Sequence, residues 1–302
     1  MNPYFKAMRV GRWPRSLAIL PGIAAYFFLN RGSFASMSKL WLLSQSTVAF
    51  LLTWAISTSN YIINEILDAP YDIHHPTKRH RPLIKGEIRK GPFLLLGILL
   101  VLASLIPAFF FFSHAFFFSL LALLVAGFIY NMKPLRTKDI PFLDSVSESA
   151  NNPIRFLIGW FAFSSSRLFP PISLLLSWWL FGNFLMIAKR LSEFRYLKER
   201  AGDYRASLRK YSTASLALGI AASSAAFFVF YFAFALSFKL QTFIYFSPLI
   251  IFYFFWIIRK TLAEKEFMEE PENLLNHPRF ALYTILIILL FFASYHFDRL
   301  GQ

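Results

Sequence analysis

Long, uninterrupted apolar runs limit what this chain can fold into. The run PFLLLGILLVLASLIPAFFFF occupies residues 92–112 and is long enough to cross the hydrocarbon core of a bilayer as a helix. Its apolar residues do not alternate with polar ones, as they would in the strands of a membrane barrel. Because lipid tolerates only helices or closed barrels, the sequence predicts an all-α integral membrane protein.

Nine such segments predict nine transmembrane helices. They cover residues 16–30, 40–62, 92–112, 115–130, 144–163, 170–188, 213–236, 242–258 and 280–296. No low-complexity linker or soluble domain interrupts them, so residues 1–302 are expected to form one domain embedded among membrane lipids. The oligomeric state is left open by the sequence.

The net charge of +15 would suggest nucleic acid as the partner of a soluble protein. Here the charges fall between apolar runs, so the membrane interpretation takes precedence and no nucleic-acid partner is expected. With nine spans, 25 Lys and Arg residues fall on one side of the membrane and five on the other. This bias predicts a multi-pass protein of the cytoplasmic membrane, with the N-terminus and a polar cap on the cytoplasmic side.

A dense polar block, NEILDAPYDIHHPTKRHRP, interrupts the apolar pattern at residues 64–82. Asn64, Asp68 and Asp72 are four residues apart and so share one helical face, although Pro70 is expected to end or kink the helix between the two acids. Their oxygen atoms suit Mg²⁺, which binds one or two carboxylates together with substrate phosphates. The bases that follow could hold those phosphates: Lys78, Arg79 and Arg81. The alternative is an interfacial salt-bridge network that only finishes a helix.

Two further polar sets lie farther along the chain. MIAKRLSEFRYL (186–197) places Lys189 and Arg190 on the face of Glu193, as an ordinary ion pair at a helix end would. LDSVSESANNPIRFLIGW (143–160) carries polar residues within or beside a span: Asp144, Glu148, Asn151, Asn152 and Arg155. An arginine in a span must face protein, water or an anion, so Arg155 is either a phosphate ligand or the partner of Asp144 or Glu148.

NEILDAPYD resembles the first aspartate-rich motif, N-D-x-x-D-x-x-x-D, of the UbiA superfamily of intramembrane prenyltransferases, with Glu65 in place of the usual Asp. A narrower resemblance is to the polyprenyl-phosphate phosphoribosyltransferases of that superfamily. It is carried by HPTKR-x-RP at 75–82, by Arg12, Trp13, Arg15 and Ser16, by Asp144, Arg155 and Gly159, by Lys189, Arg190 and Glu193, and by Arg205, Leu208, Tyr211 and Ser212.

Two departures accompany the resemblance. The second D-x-x-x-D motif of typical UbiA prenyltransferases is replaced here by Lys189, Arg190 and Glu193. Against the phosphoribosyl subgroup, residues 130–144 are about three residues longer, and Asn151 and Asn152 replace a Gly-aromatic pair.

The resemblance implies a UbiA-like helical bundle and a Mg²⁺-dependent transferase that acts on a diphosphate-bearing donor and an isoprenoid lipid. Asn64, Asp68 and Asp72 would be the catalytic and metal-binding residues. The phosphate ligands would be Lys78, Arg79, Arg81, Lys189, Arg190 and Arg155, supported by Glu65, Asp144, Glu193, Tyr130 and Asn152.

Three functions follow from this sequence. The first is transfer of phosphoribosyl from phosphoribosyl pyrophosphate to a polyprenyl phosphate, for which two anionic substrates need two groups of cations. The second is transfer of a polyprenyl group from its diphosphate to an aromatic or other acceptor. The third is lipid binding or transport without chemistry, which predicts discontinuous helices and an internal repeat; no convincing repeat is present.

Overall fold

A computed structural model describes residues 2–30, 37–73, 78–197, 201–263 and 277–300 of the chain. Within these ranges the regular structure is entirely helical, as the apolar runs predict. The helices form two compact units: Met1–Lys138 with Ala150–Pro170, and Asp139–Ser149 with Pro171–Gln302. Whether they act as the single domain expected from the sequence stays a prediction.

The first unit is built around a helix of 34 residues, α3. Its helices are α1 (Pro3–Ala7), α2 (Leu20–Leu29), α3 (Lys39–Asp72), α4 (Lys90–Phe111), α5 (His114–Asn131) and α7 (Asn151–Phe161), with a 3₁₀ segment at Val10–Ile19. Helix α3 packs against α4 and α5, while α2 and α5 pack against α7. Apolar side chains, among them the fully buried Ile62 and Phe93, join α3 to α4.

Two glycines let α2 and α7 approach closely. A Cβ atom on Gly22 would lie 1.9 Å from the carbonyl oxygen of Phe156, and one on Gly159 would lie 1.9 Å from that of Ile19. Such contacts between small residues are common where membrane helices cross. The glycine of the Asp144–Arg155–Gly159 pattern therefore has a packing role.

The second unit is centred on α8. Its helices are α6 (Leu143–Ser149), α8 (Ile172–Leu197), α9 (Ala201–Tyr204), α10 (Thr213–Ser237), α11 (Gln241–Tyr245), α12 (Ser247–Ala263) and α13 (Pro278–Leu300). Helix α8 packs against α6, α10 and α12. Buried residues from α8, α10 and α12 contribute to its core, among them Phe184, Leu216 and Phe254.

Five helices among the described residues are long and apolar enough to span a membrane: α3, α4, α5, α8 and α10. This supports a multi-pass, all-helical membrane protein, whereas nine spans and a cytoplasmic cap stay predictions. The segment expected at 144–163 is two helices, α6 and α7. Pro153 explains the break because it has no N–H to bond the carbonyl of Ser149.

Pro70 does not end α3 between the two acids, so that half of the expectation is wrong, while a kink at Pro70 stays a prediction. The helix continues through Pro70 to Asp72. Pro70 lacks the N–H that would bond the carbonyl of Ile66, so it removes one helical hydrogen bond without ending the helix. Asp68 and Asp72 consequently belong to one continuous helix.

Candidate active site

The predicted metal-binding residues lie on consecutive turns of α3. Asn64, Asp68 and Asp72 occupy its final turns, and Glu65 lies beside them with only 2% of its side chain exposed. The Oδ1 atom of Asn64 is buried and has no hydrogen-bond partner in the structure. A buried acceptor of this kind costs free energy, and a bound cation or donor would remove that cost.

Basic side chains neutralise both aspartates. Arg81 forms an ion pair with Asp72. Lys138 forms one with Asp68, and its ammonium also donates to Oδ1 of Asn131 at 3.1 Å. The guanidinium of Arg136 lies 3.5 Å from Asp68. Lys138 and Arg136 were counted in the sequence only as loop charges, yet they contact the acidic motif directly.

Glu65 is an anchor for two arginines and not an extra open ligand. Its Oε2 lies 2.9 Å from Arg9 and 3.4 Å from Arg81. Burial, followed by repulsion from Arg9, lowers the pKa of Arg81. Glu65 and Asp72 oppose that effect and keep the cation in place. Arg9 was not predicted as a site residue; the basic N-terminal tail was the only signal for it.

The donor set suits magnesium. The described residues contain no group of three or more His, Cys, Asp or Glu side chains placed to hold a metal ion. Helix α3 offers two carboxylates and one carboxamide oxygen. Mg²⁺ accepts such a small set of protein ligands because it completes its coordination shell with water and substrate phosphates. Asn64, Asp68 and Asp72 therefore fit Mg²⁺, which would take the place of Lys138 and Arg81 at the carboxylates.

The remaining candidates of the first unit are less closely grouped. Arg79 is exposed and its Nε donates to His80 at 3.3 Å. Arg155 donates from Nη2 to the hydroxyl of Ser57 at 3.3 Å. Tyr130 and Asn152 are half-buried. The side chain of Lys78, and residues 74–77, which include His74 and His75, lie outside the described residues.

A second polar cluster lies in the second unit and is centred on Arg190, whose side chain is fully buried. Its guanidinium bonds three carboxylates: Asp144 at 2.7 Å, Glu193 at 2.8 Å, and Glu148. Lys189 bonds Glu148 at 3.1 Å. The expected Arg190–Glu193 pair is thus part of a larger cluster.

This geometry revises the assignment of Arg190 as a phosphate ligand. A phosphate could reach the guanidinium only by displacing carboxylates that already occupy it, and the group is closed to solvent. Asp144, in turn, accepts hydrogen bonds from Tyr211 at 2.6 Å and Ser207 at 3.0 Å. Through these bonds to Arg190, Ser207 and Tyr211, Asp144 links the 205–212 connection to α6 and α8.

The Tyr211 hydroxyl is held as a donor in this cluster. Burial, and next the charge of Asp144, raise the pKa of Tyr211 above its usual value, so the phenol stays protonated and donates to that carboxylate. The same oxygen accepts the backbone N–H of Phe142 at 2.5 Å, where the chain has a positive φ of 61°. Tyr211 thereby fixes the turn that leads into α6.

The profile of the UbiA prenyltransferase family matches residues 18–269. A decaprenyl-phosphate phosphoribosyltransferase of Mycolicibacterium smegmatis is 26% identical over 213 residues, which are 70% of this chain and 63% of that protein. The protein of the same name from Mycobacterium tuberculosis H37Rv is 26% identical over 103 residues, 34% of this chain and 33% of that one. The chain thus matches less than two thirds of the length of these relatives.

Solved structures share the fold. A UbiA homolog from Archaeoglobus fulgidus superposes with a TM-score of 0.69 at 20% identity, covering 97% of this chain and 99% of that one. The same homolog bound to GPP and Mg²⁺ gives a TM-score of 0.66 at 18% identity, over the same shares of the two chains. The acidic motif on α3, the apolar helices and the match over most of the chain agree: the chain is a multi-pass membrane protein and belongs to the UbiA prenyltransferase family.

Proposed function

We propose that this transferase moves a phosphoribosyl group from phosphoribosyl pyrophosphate to a polyprenyl phosphate with Mg²⁺ as its cofactor. The observation that carries the proposal is the composition of the second polar cluster. Its three carboxylates are bound to Arg190 and Lys189, so they do not offer the open acid pair of a second diphosphate-binding motif. The names of the two mycobacterial relatives and the HPTKR-x-RP segment support the same donor.

The donor diphosphate would lie at the end of α3. Asn64, Asp68 and Asp72 would hold Mg²⁺, which supplies Lewis-acid stabilisation of the leaving pyrophosphate. Arg81 and Lys138, already at these carboxylates, would donate charge-assisted hydrogen bonds to the same group. Lys78, Arg79, Lys189 and Arg155 remain further candidate phosphate ligands.

The reaction needs no general base from the chain. An oxygen of the polyprenyl phosphate, already anionic, forms the bond to the anomeric carbon of ribose, and the bond from that carbon to pyrophosphate breaks with its electron pair. The residues of α3 therefore contribute orientation and electrostatic stabilisation. We place the site on the cytoplasmic side of the inner membrane, where a water-soluble donor is available.

A second candidate is transfer of a polyprenyl group from its diphosphate to another acceptor. It is favoured by the Archaeoglobus fulgidus homolog, which was solved with GPP and with DMAPP, each with Mg²⁺. Both reactions require the acidic motif on α3, so the motif alone does not separate them.

In the test, purified protein is incubated with Mg²⁺, decaprenyl phosphate and phosphoribosyl pyrophosphate that carries a label in its ribose. The lipid is then extracted into organic solvent, and the label in the extract is measured. We expect label in the lipid, loss of transfer in EDTA, and recovery on adding excess Mg²⁺. Label that stays in the aqueous phase, while a prenyl diphosphate alkylates an acceptor, would show that the second candidate is correct.

The same assay tests the acids. Asp68→Asn and Asp72→Asn should each lower turnover by at least about a hundred-fold, since each removes a metal ligand. Glu87→Gln is the matched control because Glu87 is 42% exposed and pairs only loosely, at 3.9 Å, with Lys85. Near-normal turnover of both aspartate variants would remove these residues from the metal site.

A further inference from the structure

A cavity of about 200 Å³ lies beside the acidic motif in the first unit, and its lining is mainly cationic. It is lined by Lys6, Arg9, Glu65, His80, Arg81 and Pro82. Three of these side chains are permanent cations, and Glu65 is the only carboxylate among them. The lining therefore has a surplus of positive charge, and a cavity of this sign attracts an anion.

The arginines are fixed in position before any ligand arrives. Arg9 lies over the ring of Tyr61, 5.9 Å from its centroid, and bonds Glu65 at 2.9 Å. Arg81 is held between Glu65 and Asp72. Both guanidiniums contact the same carboxylate oxygen, Oε2 of Glu65, although each has five N–H donors. Their other donors suit an oxyanion that accepts several hydrogen bonds.

The backbone supports this arrangement. Arg9 has a φ of 53°, in the left-handed region that non-glycine residues rarely adopt, and it is the residue at which α1 gives way to the 3₁₀ segment. Such strain persists only where surrounding contacts fix it, and it occurs often at ligand sites. The bond to Glu65 and the contact with Tyr61 supply those contacts.

We propose that this cavity binds a phosphomonoester through Lys6, Arg9 and His80, beside the diphosphate at Asp68 and Asp72, with Arg81 shared between the two sites. The proposal rests on the proposed function, whose two substrates each carry a phosphomonoester: the 5-phosphate of the donor and the phosphate of the polyprenyl lipid. The cavity gives one of them a cationic site beside the acidic motif, whose carboxylates would bind the diphosphate through a metal.

The test measures binding and does not depend on turnover. The full chain in detergent micelles with EDTA is titrated with ribose 5-phosphate, and separately with decaprenyl phosphate, while its thermal midpoint is followed. Ribose without phosphate is the negative probe. The variants are Lys6→Ala, Arg9→Gln and the control Lys85→Ala, whose side chain is 46% exposed and lies outside the cavity.

We expect one of the two phosphates to stabilise the wild type and the Lys85→Ala control equally. Its binding should weaken about ten- to hundred-fold in Arg9→Gln and about ten-fold in Lys6→Ala, since each loses a charge-assisted contact. Ribose 5-phosphate showing this pattern identifies the donor as the source, and decaprenyl phosphate showing it identifies the lipid.

Equal binding in all variants, or no binding of either phosphate, would overturn the proposal. If Arg9→Gln fails to fold, Lys6→Ala still decides the result because Lys6 is exposed. Failure of phosphoribosyl transfer in the label assay, with variant-dependent phosphate binding intact, would overturn the proposed function and leave the cavity as an anion site.

Discussion

Arg190 carries a positive charge with none of its side chain exposed, and three carboxylates surround it. Desolvating a guanidinium is expensive, and only close hydrogen-bonded partners offset that cost. From sequence alone the Lys189–Arg190 pair suggests an anion site, because two adjacent bases replace acids of the family motif. The structure instead makes Arg190 the partner of acids on its own helix and on α6.

Removing Arg190 should therefore destabilise the protein before it affects substrate use. Arg190→Leu leaves Asp144, Glu148 and Glu193 without their shared cation, which costs about 3–5 kcal/mol. We expect a large fall in the thermal midpoint of unfolding, which tryptophan fluorescence of the protein in detergent would measure. Lys210→Ala, at an exposed base of the 205–212 connection, should leave it unchanged. An unchanged midpoint in Arg190→Leu, with use of polyprenyl phosphate selectively lost, would restore the phosphate-ligand assignment.

The part of the site that lies on one helix was predictable. Asn64, Asp68 and Asp72 follow from a four-residue spacing, which needs no knowledge of the fold. Their cations come from elsewhere: Lys138 is 70 residues from Asp68, and Arg9 is 56 residues from Glu65. A single sequence in which many connections are basic gives no reason to select these two residues, since cytoplasmic loops are generally basic.

At the scale of the helix, most predicted segments were found, but their internal breaks were not. The segment at 242–258 is divided into α11 and α12, and Pro248 lies in the first turn of the latter. Pro107, by contrast, lies inside the continuous helix α4. A proline therefore does not by itself locate a break, because neighbouring helices in a membrane can satisfy the carbonyl it leaves free.

The crossing of α2 and α7 depends on glycine. Gly159→Ala would place a Cβ 1.9 Å from the backbone oxygen of Ile19, and backbone cannot move aside as a flexible side chain can. We expect a loss of about 1–3 kcal/mol, the usual cost of overpacking, with a lower thermal midpoint. Gly91→Ala is the matched control, because a Cβ there meets nothing within 4 Å and reduced freedom of the unfolded chain should make it neutral or slightly stabilising. Equal midpoints in the two variants would show that α2 and α7 are not tightly packed.

For the whole molecule, charge and hydropathy act together. The polar clusters at the end of α3 and the end of α8 follow apolar stretches long enough to span a bilayer. Lys and Arg in the connections after these two helices outnumber those predicted on the opposite side. The excess of basic residues would hold these connections on the cytoplasmic side, where membrane proteins accumulate positive charge.

The excess of basic residues predicts the sidedness of the chain, and the absence of cysteine makes the prediction simple to measure. Single cysteines at Lys85 and Asp203 fall in the connections after α3 and α8, and Lys239 follows α10 on the side predicted to be outside. In intact cells an impermeant maleimide should label only Lys239→Cys, whereas Lys85→Cys and Asp203→Cys should react only after permeabilisation. Retained transfer of the ribose label to decaprenyl phosphate in each variant confirms that the substitution leaves the fold intact. Labelling at 85 or 203 from outside intact cells would reverse the topology and place the acidic motif on the wrong side for a cytoplasmic phosphoribosyl donor.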